Sequence, residues 1–150
     1  MILVDVNLLL YAANPHYAEH GVARAWWESQ LNGTEPVGLT WQTLSSFIRI
    51  GTNPRIFRQP LARDIALQFV DEWVALPVVR VLEPASQHWQ TFRKLILDVR
   101  PDPNLVTDAY LAAIAINHGC ELVSADEDFS VFPGLRWRNP LVQPSTALET

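Results

Sequence analysis

Short apolar runs alternate with longer stretches of helical period along this chain. Ile2-Leu3-Val4 is an unbroken apolar run closed by Asp5, the signature of a short buried strand. Asn7 to Ala13 reads as a helix that stops before Pro15. His16 to Leu31 places Ala23, Trp26, Trp27 and Leu31 near helical spacing, with Asn32-Gly33 as its C-cap. Pro36 to Thr40 is a second short strand, and Thr40 is placed to N-cap a helix through Leu44, Phe47, Ile48 and Gly51. Pro60 suits the first turn of a further helix, with Ile65, Phe69, Val70, Trp73 and Leu76 as its apolar face. Val78 to Leu82 is the clearest strand. Pro84 opens a helix bearing Trp89, Phe92, Leu95, Ile96 and Val99. After the loop Arg100 to Asn104, Leu105 to His118 is Ala-rich and helical, and Gly119 caps it. Glu121 to Ser124 is a last apolar strand, Arg136 to Arg138 is a marginal edge strand, and an irregular tail begins near Asn139.

This alternation predicts an α/β domain over residues 1–150: a short, mostly parallel sheet with helices on both faces. Ligands of such sheets bind beyond the carboxyl ends of the strands. The residues that close the strands are therefore the first candidates for chemistry.

Acids collect there. Asp5 closes the first strand, Asp126 and Asp128 follow the last apolar one, and Asp108 lies near the start of the Ala-rich helix. An Asp in such a place also serves as an N-cap or turn residue, and Asp126-Glu127-Asp128-Phe129 could begin a short helix. Converged carboxylates would repel by about 4 kcal/mol per pair at ~4 Å and an effective dielectric near 20. Raised pKa values or a bound cation would relieve that repulsion. All-oxygen ligands suit Mg²⁺ or Mn²⁺ rather than zinc, which points to phosphoryl chemistry.

Charge and composition narrow the field further. Eleven Lys+Arg against sixteen Asp+Glu give a net charge of −5, which at first sight argues against a nucleic-acid partner. Assigning four acids to one metal pocket leaves −1. The acid-free segment from Pro36 to Arg63 carries Arg49, Arg55, Arg58 and Arg63, suited to phosphate contact or to a solvated face. Arg49 is the favoured substrate-contacting arginine, and Arg136 and Arg138 around Trp137 form a weaker patch. Lys94, the one lysine, sits in no phosphate loop, so a Walker A motif is absent. No apolar run approaches the ~20 residues of a bilayer span, and the start Met1 to Asp5, with no basic n-region, does not read as a signal peptide. With Cys120 as the one cysteine, a reducing cytoplasm is the expected setting. Cys120 itself reads as a small buried hydrophobe.

Three stretches carry a specific resemblance: Val4 to Ala12, Thr107 to Ala113, and Leu122 to Phe129 followed by Phe132-Pro133-Gly134-Leu135. Asn139-Pro140-Leu141 also fits. Together and in this order, over nearly the whole chain, they resemble the PIN-domain ribonucleases of the VapC toxin type. The resemblance implies a three-layer PIN-like fold and a metal-dependent endoribonuclease that cuts RNA with metal-activated water, leaving a 5′-phosphate. It implies catalytic roles for Asp5, Asp108, Asp126 and Asp128, with Asp5, Asp108 and Asp126 as the Mg²⁺ or Mn²⁺ ligands. Asn7 and Ser124 lie close enough in sequence to hydrogen-bond the ligands from behind. A homodimer and inhibition by a cognate VapB-type antitoxin, its peptide lying in a groove near the site, are also implied. Transfer or ribosomal RNA are both open as substrates. One departure stands out. Members of the family usually carry a Glu early in the helix after the second strand, where Thr40-Trp41-Gln42-Thr43 has none, so metal affinity or a second metal is in doubt.

Other readings compete. A degenerate PIN module would bind RNA or a protein without cutting. A haloacid-dehalogenase-like phosphatase is loosely suggested by Asp5-Val6-Asn7, but it wants an Asp at Asn7 and a lysine near the later acids. His16-Tyr17-Ala18-Glu19-His20 matches an H-x-x-E-H zinc-peptidase pattern, though no third ligand helix stands out. His88 and His118 read as ordinary surface or helix-end residues. The six tryptophans read mostly as core.

Overall fold

The computed structural model describes residues 1–100 and 102–142. Five strands form one sheet: β1 (Ile2–Val4), β2 (Val37–Leu39), β3 (Val79–Val81), β4 (Glu121–Val123) and β5 (Trp137–Arg138). Their order is β3-β2-β1-β4-β5 and every pairing is parallel. Six helices connect and flank them: α1 (Val6–Ala13), α2 (His20–Leu31), α3 (Trp41–Gly51), α4 (Arg63–Ala75), α5 (His88–Val99) and α6 (Val106–His118).

The two faces of the sheet are covered separately because side chains alternate along each strand. Ile2, Val4 and Val123 join a core built with α1 to α4, centred on Leu8, Leu9, Leu44, Phe47 and Trp73. Leu3 and Leu122 point the other way, into a core made by α5, α6, Phe129 and Phe132. The result is a three-layer α/β arrangement. Strand order reverses between β1 and β4, so their carboxyl ends form the topological switch point where ligands of such sheets bind. The register sets Val4 opposite Val123, which brings Asp5 and Ser124 side by side.

One close approach holds the sheet's centre. A Cβ on Gly38 would lie 2.9 Å from Leu82 Cδ1 and 3.0 Å from the Ile2 carbonyl oxygen. Gly38→Ala is expected to cost about 1–3 kcal/mol through overpacking, read as a lower urea midpoint.

Several elements differ from the sequence reading. α2 starts at His20, because Asn14 Oδ1 accepts the His16 backbone N–H at 2.9 Å and turns the chain first. His16 therefore lies off the helix. The two histidines of the H-x-x-E-H pattern thus share no helix face, and among the described residues the side chains grouped to hold a metal are Asp108, Asp126 and Asp128 instead. Pro60 precedes α4 by three residues rather than opening it, leaving a loop over residues 52–62. α5 starts at His88, well past Pro84. The buried face of α4 is Ala66 and Trp73, while Ile65 is exposed. Trp27 and Trp73 are core, but Trp41 and Trp89 are exposed. His88 is no ordinary surface residue: it packs 4.5 Å from Tyr110 and stacks on Phe92, and burial holds its imidazole pKa down. The expected tail forms a turn to Val142, and its remainder lies outside the described residues. No helix among the described residues is long and apolar enough to cross a membrane.

Candidate metal centre

Four carboxylates gather near the switch point: two cap the helices that follow β1 and β4, one stands on α6, and Asp128 lies in the turn after Asp126. Asp5 follows β1 in extended backbone and N-caps α1, its Oδ1 accepting the Val6 N–H at 2.8 Å. Asp126 follows β4 and N-caps a 3₁₀ turn (Glu127–Val131), its Oδ1 accepting the Asp128 N–H at 2.9 Å. Asp108 stands in the first turn of α6. Capping and convergence thus coexist in the same aspartates. Carboxylate oxygens of Asp108, Asp126 and Asp128 lie within 4.8 Å of one another. That trio differs from the expected Asp5, Asp108 and Asp126: Asp128 is in it and Asp5 stands beside it.

Ser124 explains the position of Asp5. It is fully buried, and its Oγ donates to Asp5 Oδ2 at 2.8 Å. The same oxygen accepts from Asn7 Nδ2 at 3.0 Å and from the Asp126 backbone N–H at 3.0 Å. Asn7 Oδ1 accepts the Ala125 N–H at 3.3 Å, and Trp137 Nε1 donates to the Ser124 carbonyl oxygen at 3.1 Å. Both Asp5 oxygens thus accept a hydrogen bond from within the protein, from Val6 and from Ser124.

The electrostatics follow from the crowding. Burial, then the charges of Asp5, Asp126 and Asp128, push the Asp108 carboxyl up to about 6. Burial likewise raises Asp5, with Asp126 adding to it and the Ser124 and Val6 bonds opposing it. A raised carboxyl pKa means that the folded chain holds the proton more tightly than the unfolded one. Stability then falls as pH climbs from 3.8 to about 6. Metal-free protein is expected to melt lower at pH 7 than at pH 5. Calorimetry in chelator should show that difference shrinking in Asp108→Asn and when Mg²⁺ is added back.

The donor set fits a hard divalent cation: carboxylate oxygens from three residues, no thiolate and no imidazole. Beside it, a groove of about 160 Å³ is lined by Asp5, Gln42, Thr43, Ser46, Arg49, Thr107 and Asp108, among others. Arg49 is exposed there and forms no ion pair among the described residues. Gln42 lines the same groove with an uncharged amide. Lys94 is paired with Asp98 on the exposed surface of α5, so the phosphatase reading gains no lysine at the site. Cys120 is buried and its thiol is pushed up by that burial, which leaves it inert. The sequence reading did not single out Tyr11. Burial first, then Glu19, Asp126 and Asp5, push its phenol up. Its place in the Val4 to Ala12 stretch, one and a half helical turns after Asp5, was the available signal.

Comparison with known proteins gives concordant results. A family model described as PIN domain matches residues 2–135. The chain is 42% identical to Ribonuclease VapC43 of Mycobacterium tuberculosis over 94% of its own length and 96% of the relative's. Among solved structures it resembles Mycobacterium tuberculosis VapC20, described as a Sarcin-Ricin loop cleaving toxin, with TM-score 0.65 and 22% identity, covering 91% of this chain and 99% of that one. It also resembles VapBC2 from Rickettsia felis bound to a DNA fragment from their promoter, with TM-score 0.67 and 15% identity, covering 93% and 98%.

Proposed function

This chain belongs to the PIN-domain family, alongside the VapC ribonucleases, and from that premise we propose that it is a divalent-metal-dependent endoribonuclease toxin restrained by a cognate antitoxin. The convergence of Asp108, Asp126 and Asp128 carries the reading. Asp108, Asp126 and Asp128 would hold Mg²⁺ or Mn²⁺, with Asp5 in contact directly or through water. When bound, such a cation activates water and offsets the charge of the reacting phosphate. The chain's own residues prepare the place. Ser124 and Asn7 fix the Asp5 carboxylate, and the backbone of Asp128 fixes that of Asp126. The absence of an acid at Gln42 favours one bound cation over two.

Arg49 supplies the contact with the RNA backbone. It lines the groove that opens at Asp5 and Asp108, and no acid on its own segment from Pro36 to Arg63 competes for it. Arg49→Ala is expected to raise KM roughly tenfold with a smaller change in kcat, and to lower the salt slope of RNA binding by about one. Filter binding at several salt concentrations checks this.

For the antitoxin, the expected groove near the acids gives way to a second surface, at the end of α1 away from Asp5. A groove of about 640 Å³ between α1, α2 and α4 is walled by Trp27, Leu31, Phe69 and Trp73, with Arg24 and Glu28 at its edge. An apolar peptide arm of a VapB-type antitoxin would fill it, in a cytoplasmic complex. A homodimer, with exposed Trp41 and Trp89 as available apolar surface, belongs to the same proposal. Sedimentation of the chain alone and with its antitoxin tests both.

A further inference from the structure

An aromatic path leads away from the acids. Tyr11, which feels the charges of Asp5 and Asp126, contacts Tyr17 edge-to-face at 4.8 Å between ring centroids. Tyr17 in turn meets Phe57 edge-to-face at 5.4 Å. Past Phe57 lies a cavity of about 200 Å³ lined by His16, Phe57, Arg58 and Gln59. It is formed where the turn after α1 meets the loop between α3 and α4.

The loop that bears this cavity is well braced. Asn53 Oδ1 accepts the Arg55 N–H at 2.9 Å, and the Asn53 carbonyl accepts from Ile56 and Phe57 at 3.1 Å each. Leu61 N–H closes the loop on the Gly51 carbonyl oxygen at 2.9 Å. Its charge is one-signed: Arg55 and Arg58 are exposed and no acid lies between Pro36 and Arg63. Arg58 forms no ion pair among the described residues. Glu19 acts on both Tyr11 and Tyr17, while Asp126 and Asp5 act on Tyr11 at the start of the path. An aromatic wall, an imidazole, an amide and a free guanidinium are what an unpaired nucleobase and its phosphate require.

We propose that this cavity is a nucleobase subsite, in which an unpaired base flanking the cut packs against Phe57, Gln59 meets its edge and Arg58 holds the adjoining phosphate. The proposal rests on the ribonuclease reading for its substrate, and it adds a site that selects single-stranded RNA. Tyr11 and Tyr17 carry the strand from the acids to this pocket.

The test compares two fluorescent eight-nucleotide probes by anisotropy in chelator: oligoadenylate, and an abasic ribose-phosphate oligomer of equal charge. The full chain is expected to bind oligoadenylate roughly tenfold more tightly than the abasic probe, since one stacked base supplies about that factor. Phe57→Leu should bring the two affinities together, and Phe57→Tyr should keep them apart. Arg58→Gln should weaken both probes alike. Gln59→Ala, at an exposed position, should also narrow the ratio and serves if Phe57→Leu fails to fold. A wild-type ratio near one, or a ratio unmoved by folded Phe57→Leu or by Gln59→Ala, overturns the subsite. A chain that keeps the ratio but cuts no RNA with metal contradicts the ribonuclease reading and leaves the subsite standing.

Discussion

Asp126→Asn is expected to lose RNA cleavage by on the order of a thousandfold while remaining folded. The substitution keeps the shape of the side chain and its acceptor for the Asp128 N–H, so the cap survives. What it removes is one of three converging charges. A bound cation contributes several kcal/mol of charge stabilisation to phosphoryl chemistry, and each 1.36 kcal/mol is tenfold in rate. Asp108→Asn should behave alike, because its carboxyl belongs to the same trio. Single-turnover cleavage with saturating Mn²⁺ measures the loss. Calorimetric titration with Mn²⁺ should show that metal affinity falls in both variants.

Ser124→Ala is the second large effect and tests the support beneath the trio. One hydroxyl donates to Asp5 and accepts from Asn7 and Asp126. Removing it leaves the Asp126 N–H and an Asp5 oxygen without that partner around a fully buried side chain. Unsatisfied buried groups cost about 1–3 kcal/mol, and lost hydrogen bonds behind metal ligands typically cost 10–100-fold in affinity. Mn²⁺ affinity is therefore expected to drop by roughly that range, with kcat reduced less at saturating metal. Ser124→Thr keeps the hydroxyl and should retain most of the affinity if its extra methyl is accommodated.

Much of this arrangement was legible along the chain because a parallel sheet hides its strands on both faces. That burial writes Ile2-Leu3-Val4 and Glu121-Leu122-Val123 as short apolar runs with acids just beyond them. Gly119 at φ 68° and the Thr40 cap, accepting the Thr43 N–H at 3.0 Å, are local and were readable for the same reason. Where tertiary cover decides, the pattern misled. Ile65 and Trp89 fall at apolar spacing yet stay exposed among the described residues, while Ala66 is sealed in the core. The turn at Asn14 displaced the start of α2, since a side-chain acceptor competed with the helix for the His16 N–H. The four acids were visible as candidates, but the trio that converges depends on the 3₁₀ turn after Asp126, which brings Asp128 round. The path from Tyr11 to Phe57 joins segments more than forty residues apart, and no local spacing encodes it.

The central claim is that one cluster of aspartates makes this chain a metal-dependent RNA-cutting enzyme. The most direct measurement incubates a defined RNA with purified wild type, Asp5→Ala and Asp126→Ala, each in Mg²⁺ or Mn²⁺ and in chelator. Wild type should release fragments bearing 5′-phosphates only with metal, and neither variant should release any. Equal cleavage by all three proteins, or cleavage by wild type undiminished in chelator, would contradict that claim.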